Sequence, residues 1–269
     1  MNEFPNIFIG WDQREQKAYD VLVESILDYC TIPINIIPIK EGQMRAINFY
    51  RRHYTVTNGQ KKDVLDGRPF STDFSFTRFL VPFLSRHSGY SIFMDCDMLV
   101  RSDMASIFDY ANTSDFSMNA ERKAIYCVHH NYDPNDTKKM DNQEQVKYSR
   151  KNWSSFMLWD CSHPQHNLLT LDDVNTKDGW WLHNFQWLKD NQIGMLPEEW
   201  NWLDGHSPDS LEAKNVHFTT GGPWFEGWKP KQISDAKYAL EWQQLSDQIS
   251  VEESLGKERK IKWEKTYVR

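Results

Sequence analysis

The stretch Ser91-Ile92-Phe93-Met94-Asp95-Cys96-Asp97-Met98-Leu99-Val100 decides the fold. A short apolar run bounded by Gly89 on one side and polar residues on the other reads as a buried strand. Two acids interrupt it, and an unpaired charge is very costly to bury. A strand ending at Met94 puts Asp95 and Asp97 at its C-terminal tip, where open α/β sheets bind ligands. Two carboxylates one residue apart can share one hard divalent cation.

Upstream, Ile7-Phe8-Ile9-Gly10 reads as a first strand. Gly10-Trp11-Asp12 then turns into a helix from about Arg14 to Tyr29, with Asp12 as N-cap and Glu15 at capping-box spacing. Ile34 to Ile39 is the second strand. Strand, long helix, strand is a βαβ opening, so a right-handed crossover and a parallel sheet follow. No GxGxxG follows the first strand, which disfavours a dinucleotide fold of the usual kind. Residues 40–70 read as a long loop or short helices over the sheet edge.

The segment from Ser71 to Leu84 reads as a loop entering a helix with Phe76, Phe79, Leu80 and Phe83 inward. Arg78 lies inside that apolar run and needs an anionic partner, either Asp95 or a ligand phosphate. Downstream, Met104–Tyr110 reads as a helix and Phe116–Asn119 as a strand. Residues 130–150 read as an exposed loop or lid, Trp153–Trp159 as a strand and Trp180–Leu188 as a helix. From Asp235 the chain is charged and helix-prone, with Gly256 as a break. The expected division is one domain over 1–235, a nucleotide-binding half to about 105 and an acceptor-binding half beyond it, then a helical tail over 236–269.

Bulk properties exclude several classes. With 269 residues and 39% hydrophobic content the chain can build a real core. Its formal net charge of −7, without a long Lys/Arg run, argues against a nucleic-acid partner. The start has no signal-peptide pattern, and no window approaches ~18 consecutive apolar residues, so a cytoplasmic protein without a transmembrane segment is expected. Cys30, Cys96, Cys127 and Cys161 show no CxxC pair and read as reduced thiols. All 12 tryptophans but Trp11 lie beyond residue 150. Such rings suit core packing and sugar stacking alike.

A cation held by Asp95 and Asp97 needs a third ligand. His217 is the best candidate, in a strand-like run that enters the Gly221-Gly222-Pro223 turn, where a backbone can approach a ligand closely. Carboxylate, imidazole and open positions suit Mn²⁺ or Mg²⁺, with a substrate diphosphate completing the shell.

Five blocks then occur in a telling order: Phe8–Asp12, Phe76–Pro82, Phe93–Val100, Ser154–Trp159 and His217-Phe218-x-x-Gly221-x-Pro223-Trp224. Together they resemble the nucleotide-sugar glycosyltransferases of the GT-A fold, most of all the glycogenin and bacterial galactosyltransferase type of family 8. The resemblance implies a single α/β domain, its mostly parallel sheet flanked by helices. It implies a nucleoside-diphosphate sugar donor, with UDP the expected nucleotide, and a carbohydrate or other hydroxyl acceptor. Asp95, Asp97 and His217 would hold Mn²⁺ against the diphosphate. Arg78 would lie near the nucleotide or phosphates, and Gly10, Trp11 and Asp12 would approach base and ribose. Gly221 and Gly222 would border the diphosphate. The family's phosphate-contacting Lys is replaced here by Gly222, so either another cation, Arg45, Arg68 or Lys229, supplies that charge or phosphate binding is weaker. Its acidic Asp-Gln pair appears as His183-Asn184, so the donor sugar and the stereochemical outcome stay open. Inversion would need a base such as Asp160, Asp204 or Glu226. Ser154, Trp180, Trp202 and Trp224 are the expected acceptor contacts.

Two rivals explain part of the pattern. A haloacid-dehalogenase-like phosphatase also ends an apolar strand in Asp-x-Asp, which would make Asp95 the nucleophile, Asp97 the acid/base and Asp172-Asp173 the late acidic pair. A non-enzymatic, Trp-rich carbohydrate-binding module explains the aromatics but not two carboxylates at a strand tip.

Overall fold

The structure, a computed structural model, describes residues 4–115, 122–131, 150–255 and 267–268. Strand β1 (Asn6–Gly10), helix α1 (Gln16–Tyr29) and strand β2 (Asn35–Ile39) form the βαβ opening, and β1 and β2 pair in parallel. Asp12 caps the single 3₁₀ turn before α1 by accepting from the Arg14 amide at 3.0 Å. No capping box closes on Glu15. That carboxylate is buried and accepts instead from Cys96 Sγ at 3.2 Å.

Residues 40–70 carry more order than a loop. Helix α2 (Glu41–Ala46) leads to a small antiparallel sheet of β3 (Tyr54–Thr57), β4 (Gln60–Asp63) and β5 (Pro69–Phe70). Buried Arg52 pins this sheet down. It pairs with Asp63, donates to the carbonyls of Val174 and Lys177, and lies 3.9 Å over the Phe76 ring. A buried guanidinium must be fully satisfied to be tolerated, and this one fixes the segment that runs on to Phe76.

A 3₁₀ turn at Thr77–Leu80 and helix α3 (Val81–Leu84) replace the expected longer helix. Next come β6 (Tyr90–Met94), β7 (Met98–Val100), helix α4 (Ile107–Asp115) and β8 (Ile125–Val128). Strand β9 (Phe156–Asp160) precedes the short helices α5 (Leu171–Thr176) and α6 (Gly179–His183). Then follow β10 (Ile193–Leu196), β11 (Trp202–Leu203), β12 (Asn215–His217), the long helix α7 (Ile233–Ser254) and β13 (Tyr267–Val268). The expected helix over Trp180–Leu188 stops at His183, and Phe185 takes a positive φ of 54°. The strand expected at 116–119, most of the 130–150 loop and the break at Gly256 lie outside the described residues.

The central sheet is mixed α/β in character, with strand order β10-β8-β9-β6-β1-β2-β13. Strands β1 and β6 are buried along nearly their whole length, which is why they read as continuous apolar runs rather than alternating ones. Among the described strands of this sheet, β9 alone runs antiparallel to its neighbours, β6 and β8. Its first residue Phe156 therefore sits opposite Met94, the last of β6. A second sheet, β11-β12-β7, branches from the tip of β6. Helix α7 covers it with Tyr238, Trp242 and Ile249, whose spacing places them on one helical stripe. No helix among the described residues is long and apolar enough to cross a membrane.

Candidate active site

The C-terminal tips of β1 and β6 and the entry to β9 meet at one edge of the central sheet. Asp95, Cys96 and Asp97 form the connection from β6 to β7, as the apolar run requires. The Asp95 amide donates to Ser155 O at 2.9 Å, and the Phe218 amide donates to Asp97 O at 2.9 Å. The backbone thus ties both acids to β9 and β12. Strand β12 pairs antiparallel with β7, setting His217 opposite Met98.

This register builds the three-ligand group. One ligand atom each from Asp95, Asp97 and His217 lie within 4.8 Å of one another, and all three residues are buried. His217 Nε2 is 3.4 Å from Asp97 Oδ1. Two carboxylate oxygens and an imidazole nitrogen are a donor set that Mn²⁺ or Mg²⁺ accepts. The residues fit the cation on chemistry as well as on spacing. Cys96, between the acids, is fully buried, and burial beside Glu15 pushes its thiol well above the usual range, so it stays protonated and inert.

A cleft opens beside this group, lined by residues 69–72, 75–76, 150–152 and 154–155 together with Arg78, Asp95, His183, His217 and Thr219. Of the residues expected from sequence, the cleft gathers Arg78, Asp95, Ser154, His183 and His217. Arg78 finds its anion in Asp95, at 2.9 Å, and also donates to Ser154 O at 2.8 Å. Ser154 Oγ lies 2.8 Å from His183 Nδ1. Burial, with Arg78 nearby, holds the His183 imidazole well below its usual range, so it is neutral at physiological pH.

Several expected contacts are elsewhere. Asn184 is buried and its amide donates to Trp180 O at 2.8 Å, so it closes the end of α6 rather than facing the cleft. Trp202 is fully buried, stacked edge-on against Tyr238, with no face left for a sugar. Trp224 packs on Phe218 and Trp242, and Trp180 is exposed on α6 away from the cleft lining. The Asp12 carboxylate is 1% exposed and already takes Arg14 and the Asp73 amide, so it acts as a cap and latch. Trp11 does not line the cleft; its ring lies under Lys40 and its Nε1 donates to Gln16. Gly10 makes room for Phe74, whose ring lies 2.4 Å from the place of a Cβ.

The cations also differ from expectation. Arg45 is bound to Glu41 and lies over Tyr50 and Tyr54; Arg68 and Lys229 are exposed and do not line the cleft. At Gly222 a Cβ would meet the Trp224 ring at 2.1 Å, so no lysine fits there with the ring in place. Lys151 and Arg150, the latter also paired with Asp190, line the cleft. Nothing in their local sequence marks them, because their place follows from the reversed direction of β9. Gly221 sits in the turn after β12 at φ 110°, a conformation open to glycine.

Neither Asp160 nor Glu226 lines the cleft. Asp160 ends β9 at the opposite sheet edge, paired with Arg122, and Glu226 is exposed outside the cleft lining. Asp204 is buried, and burial beside Asp235 raises its carboxyl to about 7. It too is absent from the cleft lining. The phosphatase alternative loses its late acidic pair, since Asp173 caps α5 and Asp172 is exposed toward Arg51.

Comparison with known proteins agrees with this architecture. The chain has a GT-A fold, the α/β fold of nucleotide-sugar glycosyltransferases. It overlays the apo structure of the bifunctional glycosyltransferase WbbM at a TM-score of 0.54 and 12% identity, covering 91% of this chain and 52% of that one. This chain thus spans about half the length of that protein. The galactosyltransferase LgtC, solved with donor and acceptor sugar analogues, overlaps at a TM-score of 0.49 and 11% identity, over 90% of this chain and 95% of its own. No protein-family model matches the sequence. The chain belongs to the family of Protein CDI of Arabidopsis thaliana, with which it shares 41% identity over 234 residues, 85% of this chain and 83% of that protein.

Proposed function

We propose that this chain is a metal-dependent glycosyltransferase that moves a sugar from a nucleoside-diphosphate sugar, with UDP the expected nucleotide, to a hydroxyl of a saccharide or similar acceptor. The observation that carries this reading is the Asp95–Asp97–His217 group at the ligand-binding edge of a GT-A sheet. Those three residues would hold Mn²⁺ or Mg²⁺. When bound, the cation supplies Lewis-acid stabilisation to a diphosphate leaving group.

The rest of the work falls to the chain. Arg78, Arg150 and Lys151 bring positive charge to the cleft that a diphosphate would enter. Segment 69–76, held by Arg52 beneath it, forms the wall for the rest of the donor. Ser154 and neutral His183 offer hydroxyl and imidazole to the transferring sugar in place of a charged pair. Holding donor and acceptor in one cleft can supply a large share of the rate. The four free, buried cysteines fit a reducing compartment, and the cytoplasm is the proposed location.

Thermal stabilisation by UDP with and without Mn²⁺ tests this reading. A ligand at about 100 times its Kd stabilises the native state by ~2.7 kcal/mol. The expected result is a Mn²⁺-dependent rise in Tm that Asp97→Asn removes. A UDP effect indifferent to metal and to Asp97→Asn, with hydrolysis of an aryl phosphate, would overturn it in favour of the phosphatase.

A further inference from the structure

His217 is held from behind by Asn201, the last residue of the 3₁₀ turn Glu198–Asn201 that leads into β11. His217 Nδ1 lies 3.0 Å from Asn201 Oδ1. Asn201 is fully buried, and its Nδ2 donates to Asn152 O at 3.1 Å and to Ser155 Oγ at 3.0 Å. Ser155 Oγ in turn donates to Asn152 O at 2.7 Å.

These bonds leave the amide one orientation. Asn152 O can only accept, so the group facing it must be the NH₂. The hydroxyl hydrogen of Ser155 is spent on the same carbonyl, so its oxygen also needs a donor. Flipping the amide would set oxygen against oxygen at both contacts. Oδ1 therefore faces His217, and because it can only accept, His217 Nδ1 must carry the hydrogen. In the neutral ring Nε2 then presents its lone pair toward Asp97 Oδ1, 3.4 Å away. Two lone pairs face each other, an arrangement that favours a positive charge between them.

Resting on the reading of the metal site above, we infer that Asn201 is a positioning residue that sets the tautomer of His217, keeping Nε2 unprotonated and aimed at a divalent cation shared with Asp97. The latch joins three separate pieces of chain: the entry to β9 through Asn152 and Ser155, the turn before β11 through Asn201, and β12 through His217. Partners of this kind behind a metal-bound imidazole typically contribute 10- to 100-fold in metal affinity.

The test uses the full chain and Mn²⁺ alone, so it needs neither donor nor acceptor. Mn²⁺ affinity is measured by calorimetry or by the loss of the free-ion paramagnetic resonance signal. Asn201→Ala should weaken binding 10- to 100-fold, approaching the effect of His217→Ala, and the double variant should be little worse than His217→Ala alone. In the native protein, ¹⁵N-histidine spectra with Mg²⁺ should show His217 protonated on Nδ1 and bare on Nε2. In Asn201→Ala the proton should move to Nε2, toward Asp97. Should Asn201→Ala fold poorly, Ser155→Ala frees one side of the amide without touching His217, and should weaken Mn²⁺ binding by several-fold. Native-like Mn²⁺ affinity in Asn201→Ala, or in Ser155→Ala where that variant stands in, would sink the inference while leaving the metal site intact, as would a native His217 protonated on Nε2 with metal present. Absence of Mn²⁺ binding by the native chain would overturn the inference and the glycosyl-transfer reading together.

Discussion

The guanidinium of Arg78 and the carboxylate of Asp95 are paired at 2.9 Å with both side chains nearly buried, and Arg78 also holds Ser154 O at 2.8 Å. One side chain thus joins the tip of β6 to the entry of β9. Removing one partner of a buried pair leaves an uncompensated charge and costs about 3 kcal/mol or more. Arg78→Met should therefore lower stability by about that much in chelator-treated protein. Adding Mn²⁺ should restore part of the loss, because a cation beside Asp95 supplies the missing charge. Chemical denaturation with and without Mn²⁺ measures both; a loss unaffected by metal would show that Asp95 does not face the cation.

The tryptophans separate by depth. Trp202 is fully buried under α7, and Trp202→Ala should cost about 3–5 kcal/mol through the cavity it leaves. Any loss of acceptor binding should track the unfolded fraction. Trp180 is 46% exposed, and Trp180→Ala should change stability by no more than about 0.5 kcal/mol. Denaturation midpoints of the two variants compare the values directly.

Gly10 is needed for packing. A Cβ there would fall 2.4 Å from the Phe74 ring, which is itself fully buried beside the cleft-lining Ser75. Gly10→Ala should cost about 1–3 kcal/mol through overpacking. Combining it with Phe74→Leu should cost less than the two single changes added together, because the smaller side chain makes room. A double-mutant cycle on Tm reads this coupling.

His166 makes the fold acid-sensitive at a place remote from the cleft. It is fully buried against Trp159, with ring nitrogens facing Ala124 O and Trp187 Nε1, and burial lowers its pKa from 6.5 to about 4. A folded pKa below the unfolded one means that the contribution is fully present above about pH 6.5 and is lost as pH falls through 4. That shift corresponds to roughly 3 kcal/mol over the window. His166→Gln should flatten the fall in stability between those pH values, while stability near pH 8 drops only by the packing lost. Urea midpoints across pH 4–8 test it.

Much of this was legible in the sequence where the signal is local. Ile7–Ile9 and Ile92–Met94 announce buried parallel strands because both faces are covered, so no polar residue is tolerated within them. Asp95 and Asp97 stand out because they interrupt such a run, and His217 because it precedes a glycine turn. Arg150, Lys151 and Asn201 left no such trace. Their roles depend on the direction of β9 and on a hydrogen-bond network spread over three segments, neither of which a window of residues encodes. The burial of Trp202 is hidden from a sequence reading for a related reason. A large ring looks available until α7, far along the chain, is laid over it.

The pairing of β12 with β7 also fixes when the site can appear. Asp97 and His217 are joined only when Asn215–His217 docks against Met98–Val100, which closes a loop of more than a hundred residues. Contacts so distant along the chain form late, because the entropy of closing the loop is lost before the strands gain anything from pairing. During synthesis the βαβ opening can fold while the future cleft lacks both its imidazole and the amide that orients it. The cation-binding group is therefore complete only once that long loop has closed, and a chain that ends before His217 has the two acids without their imidazole.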